Sequence, residues 1–382
     1  MARLIRWSLG LALASLCACG QEIPAGADAS SASRDAAAPT PADAGTMADA
    51  GPDLPGEDAS TPSGDASPSG ADAGTRPDAA APCIETCPVA SGVAWECKRR
   101  FALGTNWAWH NFGADFGGIG PWGQQGVSQD PGAFDTDLAA MAAKGVNVIR
   151  WWMFPRFFSE SITFGADGAP TGIGGTLAAD VQKALELAEA HDVYLMLTLF
   201  SFDTFTPTKT EYGLDVPGLG PVVKDPAKSA KLYANLAGPV ADAVESSPYR
   251  RRMIAWDLIN EPEWAMTGPS LYGDPDFEPG AGLEAVTHAQ MEAFLKGLAA
   301  ELRSHSSAQV TIGSAAIKWA KAWTHVDVDF YQLHYYDWVY EWFPYSTVTP
   351  ANSGLSGKPV VMGEFPNAGL SAIASKGYPA RT

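Results

Sequence analysis

Between residues 101 and 364 short apolar runs alternate with stretches of helical periodicity. The runs lie at 101–107, 146–152, 193–200, 253–260, 309–313, 329–336 and 359–364, seven in all, and their lengths suit strands rather than helices. Two intervening stretches show an apolar stripe plainly. In "FDTDLAAMAAKG" Leu138 and Met141 share a face, with Asp135 placed to cap the first turn and Gly145 to end the helix in a left-handed residue. In "TLAADVQKALELAEAHD" Leu177, Val181, Leu185 and Ala188 recur at spacings of 4, 4 and 3, the stripe that packs a helix onto a sheet. Repeated strand-then-helix units predict an α/β fold with a parallel sheet.

The polar residues choose between the two common parallel architectures. Asn106, Arg150, Asn260, Glu261, His334, Tyr336 and Glu364 all fall at or near the carboxyl ends of the runs. That one-sided placement is where a (β/α)8 TIM barrel builds its active site. An open doubly wound sheet would instead show a Gly-rich phosphate turn after its first strand, and none follows "FALGTNW". A barrel over residues 101–382 is therefore predicted. Only 18 residues follow Glu364, too few for a helix, an eighth strand and a closing helix. The barrel is expected to be truncated before strand 8, with unpaired edges on its first and seventh strands.

The rhythm is absent before residue 101. Residues 1–19, "MARLIRWSLGLALASLCAC", set Arg3 and Arg6 ahead of an apolar run too short to span a bilayer, the layout of an export signal. The ending "LCAC" resembles the lipobox of bacterial lipoproteins, which implies that Cys19 becomes a lipidated N-terminus on the cell envelope or surface; simple secretion is the alternative. Residues 20–82 are almost wholly Ala, Asp, Gly, Pro, Ser and Thr, without an aromatic residue and with ADAG written three times. Such a segment cannot bury enough apolar surface to offset its ordering entropy, so a flexible tether spanning about 40–50 Å is expected. Residues 83–100 hold Cys83, Cys87 and Cys97, enough for one disulfide and a leftover thiol; a fourth ligand for a metal is missing nearby.

Charge changes the picture only by exclusion. The formal net charge is −18: +2 from Arg3 and Arg6 in residues 1–19, −9 from residues 20–82 and −11 from residues 83–382. Neither part offers the basic patch of a nucleic-acid reader. Nothing in the sequence calls for a cofactor or a metal.

Chemistry enters with the two glutamates. Glu261 ends the fourth run in "WDLINEPEW" and Glu364 ends the seventh in "VVMGEF". Strict alternation along the seventh run would point Val360, Met362 and Glu364 one way, and along the sixth Phe330, Gln332, His334 and Tyr336. A barrel brings both glutamates to one mouth. Paired carboxyls there suit glycosidic bond hydrolysis, which needs a proton for the leaving oxygen and a negative group against an oxocarbenium-like centre. A separation of about 5–5.5 Å permits direct attack with retention, whereas about 6.5–9.5 Å admits a water and gives inversion.

"WDLINEP", "LHYYDW" and "VVMGEFP" together resemble the retaining barrel glycosidases of glycoside hydrolase family 5, in particular its endo-β-mannanase-like and cellulase-like members, over about residues 101–365. The resemblance implies that Glu261 is the general acid/base and Glu364 the nucleophile. It further implies that Asn260 bonds the sugar 2-hydroxyl, Tyr336 positions the nucleophile, His334 lines the subsite at the cleaved bond and Arg150 keeps Glu364 ionised. Trp107, Trp264 and Trp338 lie where flat rings stack on pyranose faces, while Trp256, inside a strand, belongs to the core. The implied ligand is a β-1,4-linked polysaccharide or oligosaccharide, mannan or glucan. Ser201 follows the third run where many cellulase-type relatives carry histidine, which favours mannan. The rival reading is a catalytically impaired sugar-binding surface lipoprotein on the same scaffold.

Overall fold

The computed structural model describes residues 92–96, 98–100, 102–211, 213–336, 339 and 349–365. Cys19, the tether, the three cysteines at 83, 87 and 97, and Trp338 lie outside the described residues. Among the described residues all seven runs form strands of one parallel sheet: β1 (Gly104–Asn106), β2 (Val148–Trp152), β3 (Tyr194–Ser201), β4 (Met253–Asn260), β5 (Gln309–Ser314), β6 (Tyr331–His334) and β7 (Val360–Glu364). They hydrogen-bond in chain order from β1 to β7. The sheet curls into a nearly closed barrel, because Cα atoms of β1 and β7, its two ends, come within 8 Å of each other.

Helices cover the outside. α1 (Pro131–Ala142) follows β1 and α2 (Leu177–Ala190) follows β2. Three short helices, α3 (Gly220–Lys224), α4 (Pro226–Leu232) and α5 (Gly238–Glu245), link β3 to β4, and α6 (His288–His305) links β4 to β5. The α2 stripe of Leu177, Val181, Leu185 and Ala188 is fully buried against the sheet. α1 starts earlier than expected: Pro131 occupies the first turn behind Asp130, because a fixed φ is already helical there. Asp135 is therefore inside the helix and pairs with His191 Nε2 at 2.7 Å instead of capping.

The core has two parts. A large layer of apolar side chains, Trp256 among them, fills the space between sheet and helices. A smaller cluster of Val148, Tyr194, Met196, Ile254, Ala255 and Phe330 fills the lower half of the barrel interior. Val93 joins it from a hairpin of Val93–Trp95 and Lys98–Arg100 that precedes β1. Trp95 Nε1 donates to Arg251 O at 3.0 Å and Tyr194 Oη to Glu96 Oε2 at 3.0 Å. The segment that reads as a mere lead-in is the barrel floor, covering apolar residues at the amino ends of the strands. The opposite mouth is left for polar groups.

Candidate active site

Strand register sets the level of the polar groups. Asn106 pairs with Arg150, Asn260 with both Ser201 and Gly313, and His334 with Glu364, all at the carboxyl rim. Beyond Asn260 the backbone of Glu261 turns left-handed, with φ 49° and ψ 50°, ahead of Pro262. For a non-glycine residue this costs about 1–3 kcal/mol and persists only where the surroundings enforce it. Here Glu261 N donates to Gly313 O at 2.6 Å, and Trp264 Nε1 donates to Glu261 Oε2 at 2.9 Å. Glu261 Oε1 lies 2.8 Å from His334 Nδ1.

The turn separates the two acids of "NEPEW". Glu261 faces the mouth, whereas Glu263 is fully buried behind it, accepting from Ser314 Oγ at 2.7 Å, Ala315 N at 3.0 Å and Trp323 Nε1 at 2.7 Å. Burial pushes the Glu263 carboxyl up against these three donors. The sequence reading passed over Glu263; its signal was an acid set between Pro262 and Trp264 with no polar neighbour beyond Glu261.

On β7 the expected alternation fails. Leu333 pairs with Met362 but His334 with Glu364, so Gly363 is bulged out of register. A Cβ at 363 would lie 2.6 Å from Gln332 Cγ, which is why glycine occupies the bulge. Val361 packs on the interior cluster, and Met362 points outward, half exposed. The bulge restores Glu364 to the inward side that Met362 does not share.

Glu364 is held from several directions. Arg150 Nη1 is 2.6 Å from its Oε1, Tyr336 Oη donates to its Oε2 at 2.8 Å, and His334 Nδ1 is 3.8 Å from the same Oε2. Burial pushes this carboxyl up, and the charges of His334 and Arg150 with the Tyr336 hydrogen bond outweigh it, leaving Glu364 below its ordinary range. Burial pulls the His334 imidazole down, and Glu364 and Glu261 outweigh it in turn, raising His334 and making Nδ1 a donor. Burial and the Glu364 charge push the Tyr336 phenol up, so it stays protonated and donates. One oxygen of each glutamate and a His334 nitrogen lie within 4.8 Å of one another. These three are the donor set nearest to a metal site among the described residues, yet Arg150 already neutralises Glu364 and a raised His334 is a poor ligand.

Arg150 is the hub beneath the rim. Nη1 donates also to Asn106 Oδ1 at 2.7 Å, joining β2 to both end strands of the sheet. Nη2 donates to Asn260 Oδ1 at 2.9 Å, and Nε donates to Asp257 Oδ2 at 2.8 Å. Asp257, fully buried, further accepts from Thr198 Oγ1, Gln332 Nε2 and Gly313 N. Because Arg150 engages the Asn260 carbonyl, the Asn260 amide is left facing the mouth beside Ser201 Oγ, 3.5 Å away. Asp257 escaped the sequence reading, although an acid inside a buried strand is itself a signal for a partner cation.

The tryptophans divide. Trp264 is half-buried, bonded to Glu261 and edge-on to Trp319 at 5.4 Å. Trp107 is half-buried and packs at 4.6 Å on Trp151 and edge-on to Phe134 of α1, in the layer outside the sheet. The ring that reaches the Arg150 level is Trp152, whose Nε1 donates to Asn106 Oδ1 at 3.2 Å and which touches Trp109 edge-on at 5.6 Å.

No family model matches the chain. The mannan endo-1,4-beta-mannosidase of Mytilus edulis is 27% identical over 297 residues, covering 69% of this chain and 75% of that protein. The corresponding enzyme of Cryptopygus antarcticus is 27% identical over 172 residues, covering 44% and 39%. Among solved structures, the beta-mannanase from blue mussel superposes with a TM-score of 0.56 at 24% identity, covering 69% of this chain and 78% of the mussel chain. The endo-1,4-beta-mannanase from Eisenia fetida gives 0.57 at 22% identity, covering 74% and 81%. The fold is that of the endo-β-1,4-mannanases, an α/β barrel.

Proposed function

We propose that the chain is a retaining glycoside hydrolase that cleaves β-1,4-linked mannan by double displacement. The observation that carries this reading is the placement of Glu261 and Glu364 across one mouth with an oxygen of each within 4.8 Å of the other, close to the about 5–5.5 Å that suits direct attack and well short of the about 6.5–9.5 Å that an inverting mechanism needs for its attacking water. Glu364, kept ionised, attacks the anomeric carbon while Glu261 protonates the departing oxygen; Glu261 then takes the proton of the water that releases the glycosyl-enzyme. Asn260 presents its amide to the sugar 2-hydroxyl, and Tyr336 and His334 hold the two carboxylates. Trp264 and Trp338 are the stacking rings. Mannan is favoured over glucan by the activity named for the similar proteins and by Ser201 at the end of β3. The test is proton NMR of fresh mannopentaose digests: initial β-anomer supports the reading, initial α-anomer refutes retention, and binding without cleavage favours the sugar-binding alternative.

General acid catalysis contributes about 10²–10⁴-fold, and only where the leaving group needs a proton. Glu261→Ala is therefore expected to lose about that factor on manno-oligosaccharides and far less on dinitrophenyl glycosides. Rates measured on the two substrate types check it.

We also propose that the enzyme is exported and anchored at Cys19, with residues 20–82 as its tether. Labelled palmitate is expected to enter the full chain and to vanish with Cys19→Ala; label that survives the substitution removes the anchor.

A further inference from the structure

We infer that Glu263 is a positioning residue for Glu261, clamping the acid/base turn onto the exit of β5. The inference rests on the functional reading above and adds a residue to it.

Three consecutive residues at that exit receive the turn. Gly313 O accepts the Glu261 N–H at 2.6 Å, Ser314 Oγ donates to Glu263 Oε1, and Ala315 N donates to Glu263 Oε2. Trp323 Nε1 makes the third bond to Glu263 from the loop beyond. Glu261 is thus stitched to β5 on both sides of its left-handed backbone, and its carboxylate is steadied by Trp264, which lies one residue past the clamp. The single 3-10 turn of Pro262–Ala265 bonds within itself, Trp264 N–H to Glu261 O at 3.2 Å and Met266 N–H to Glu263 O, and the buried carboxyl of Glu263 adds its attachment to β5. A buried carboxyl that accepts three hydrogen bonds and has no counter-ion among those partners is costly to keep unless its geometry is used.

Glutamine is nearly isosteric, but its amide cannot accept from both Ala315 N and Trp323 Nε1, so one side of the clamp opens with the fold's volume preserved. A displacement near 1 Å at a reacting group costs about 10²-fold. Glu263→Gln is expected to lower kcat/KM on mannotetraose by about 10–100-fold while hydrolysis of a dinitrophenyl β-mannobioside stays within about threefold, because only the first needs a well-placed acid. Ser314→Ala, which removes one donor without burying an unpaired group, is expected to show the same skew in smaller degree and serves if Glu263→Gln does not fold. Equal losses on both substrates, or no loss on either, in a variant with wild-type melting temperature would overturn the inference. A wild-type chain that cleaves neither substrate would overturn the functional reading instead, and the inference with it.

Discussion

Replacing Glu364 with alanine is expected to lower kcat on manno-oligosaccharides by about 10⁴-fold or more, the scale seen when a nucleophile is removed from an otherwise intact site. The fold should tolerate the change, since Arg150 keeps Asp257, Asn260 and Asn106 as partners. The loss should also have a signature that damage to the fold lacks. Without a carboxylate on that face, no glycosyl-enzyme accumulates, which intact mass spectrometry with a fluorinated aryl glycoside can show. The cavity left beneath the anomeric carbon admits a small anion. Azide is therefore expected to restore part of the turnover on a dinitrophenyl substrate, and a single displacement must give the α-glycosyl azide. A variant that retains wild-type turnover would remove Glu364 from the mechanism.

Arg150→Met is expected to cost about 3–5 kcal/mol of stability as well as most activity, because truncating one member of a buried ion network strands the others. Arg150 and Asp257 are at most 4% exposed and Glu364 only 9%, so water cannot replace the guanidinium. Its donors also tie β2 to Asn106 of β1 and Glu364 of β7, the two ends of the sheet, and methionine matches only the volume. Lysine should rescue incompletely, since an ammonium cannot reproduce the forked donors. The pH dependence follows from the sign of the Glu364 shift. Its folded value lies below the ordinary 4.5, so its contribution to stability is full above 4.5 and is lost as pH falls through the folded value. Removing Arg150 raises that folded value toward 4.5, so the acid-side loss contributed by Glu364 should become smaller and be complete at a higher pH. Urea denaturation from pH 3 to 7 measures both the offset and its displacement; superimposable curves would contradict the account.

Much of the architecture was legible in the residue pattern. All seven runs became strands within a few residues of their expected limits, and α2 buries the stripe its spacing announces, because alternation and helical period are local properties of the chain. The floor hairpin was not legible, since Val93–Trp95 is an apolar run of only three residues whose partners at Tyr194 and Arg251 lie about a hundred and more positions away. Nor was Glu263, which looks like Glu261 until the backbone turns between them. Trp107 lies at a strand end as a stacking ring would, yet it sits against Trp151 and Phe134, because neighbours rather than position set the direction of its ring.

The sequence by itself determined a parallel α/β barrel with its chemistry at the carboxyl rim, and it named Glu261 and Glu364 as the pair to watch. Only the tertiary structure decided that the two face each other within 4.8 Å, that Gly363 bulges to turn Glu364 inward, and that Arg150 gathers Asn106, Asp257, Asn260 and Glu364 around one guanidinium. The physical reason is separation along the chain. Arg150 lies 107 residues from Asp257 and 214 from Glu364, and contacts of that range depend on strand register and bulges set by the packing of the whole sheet.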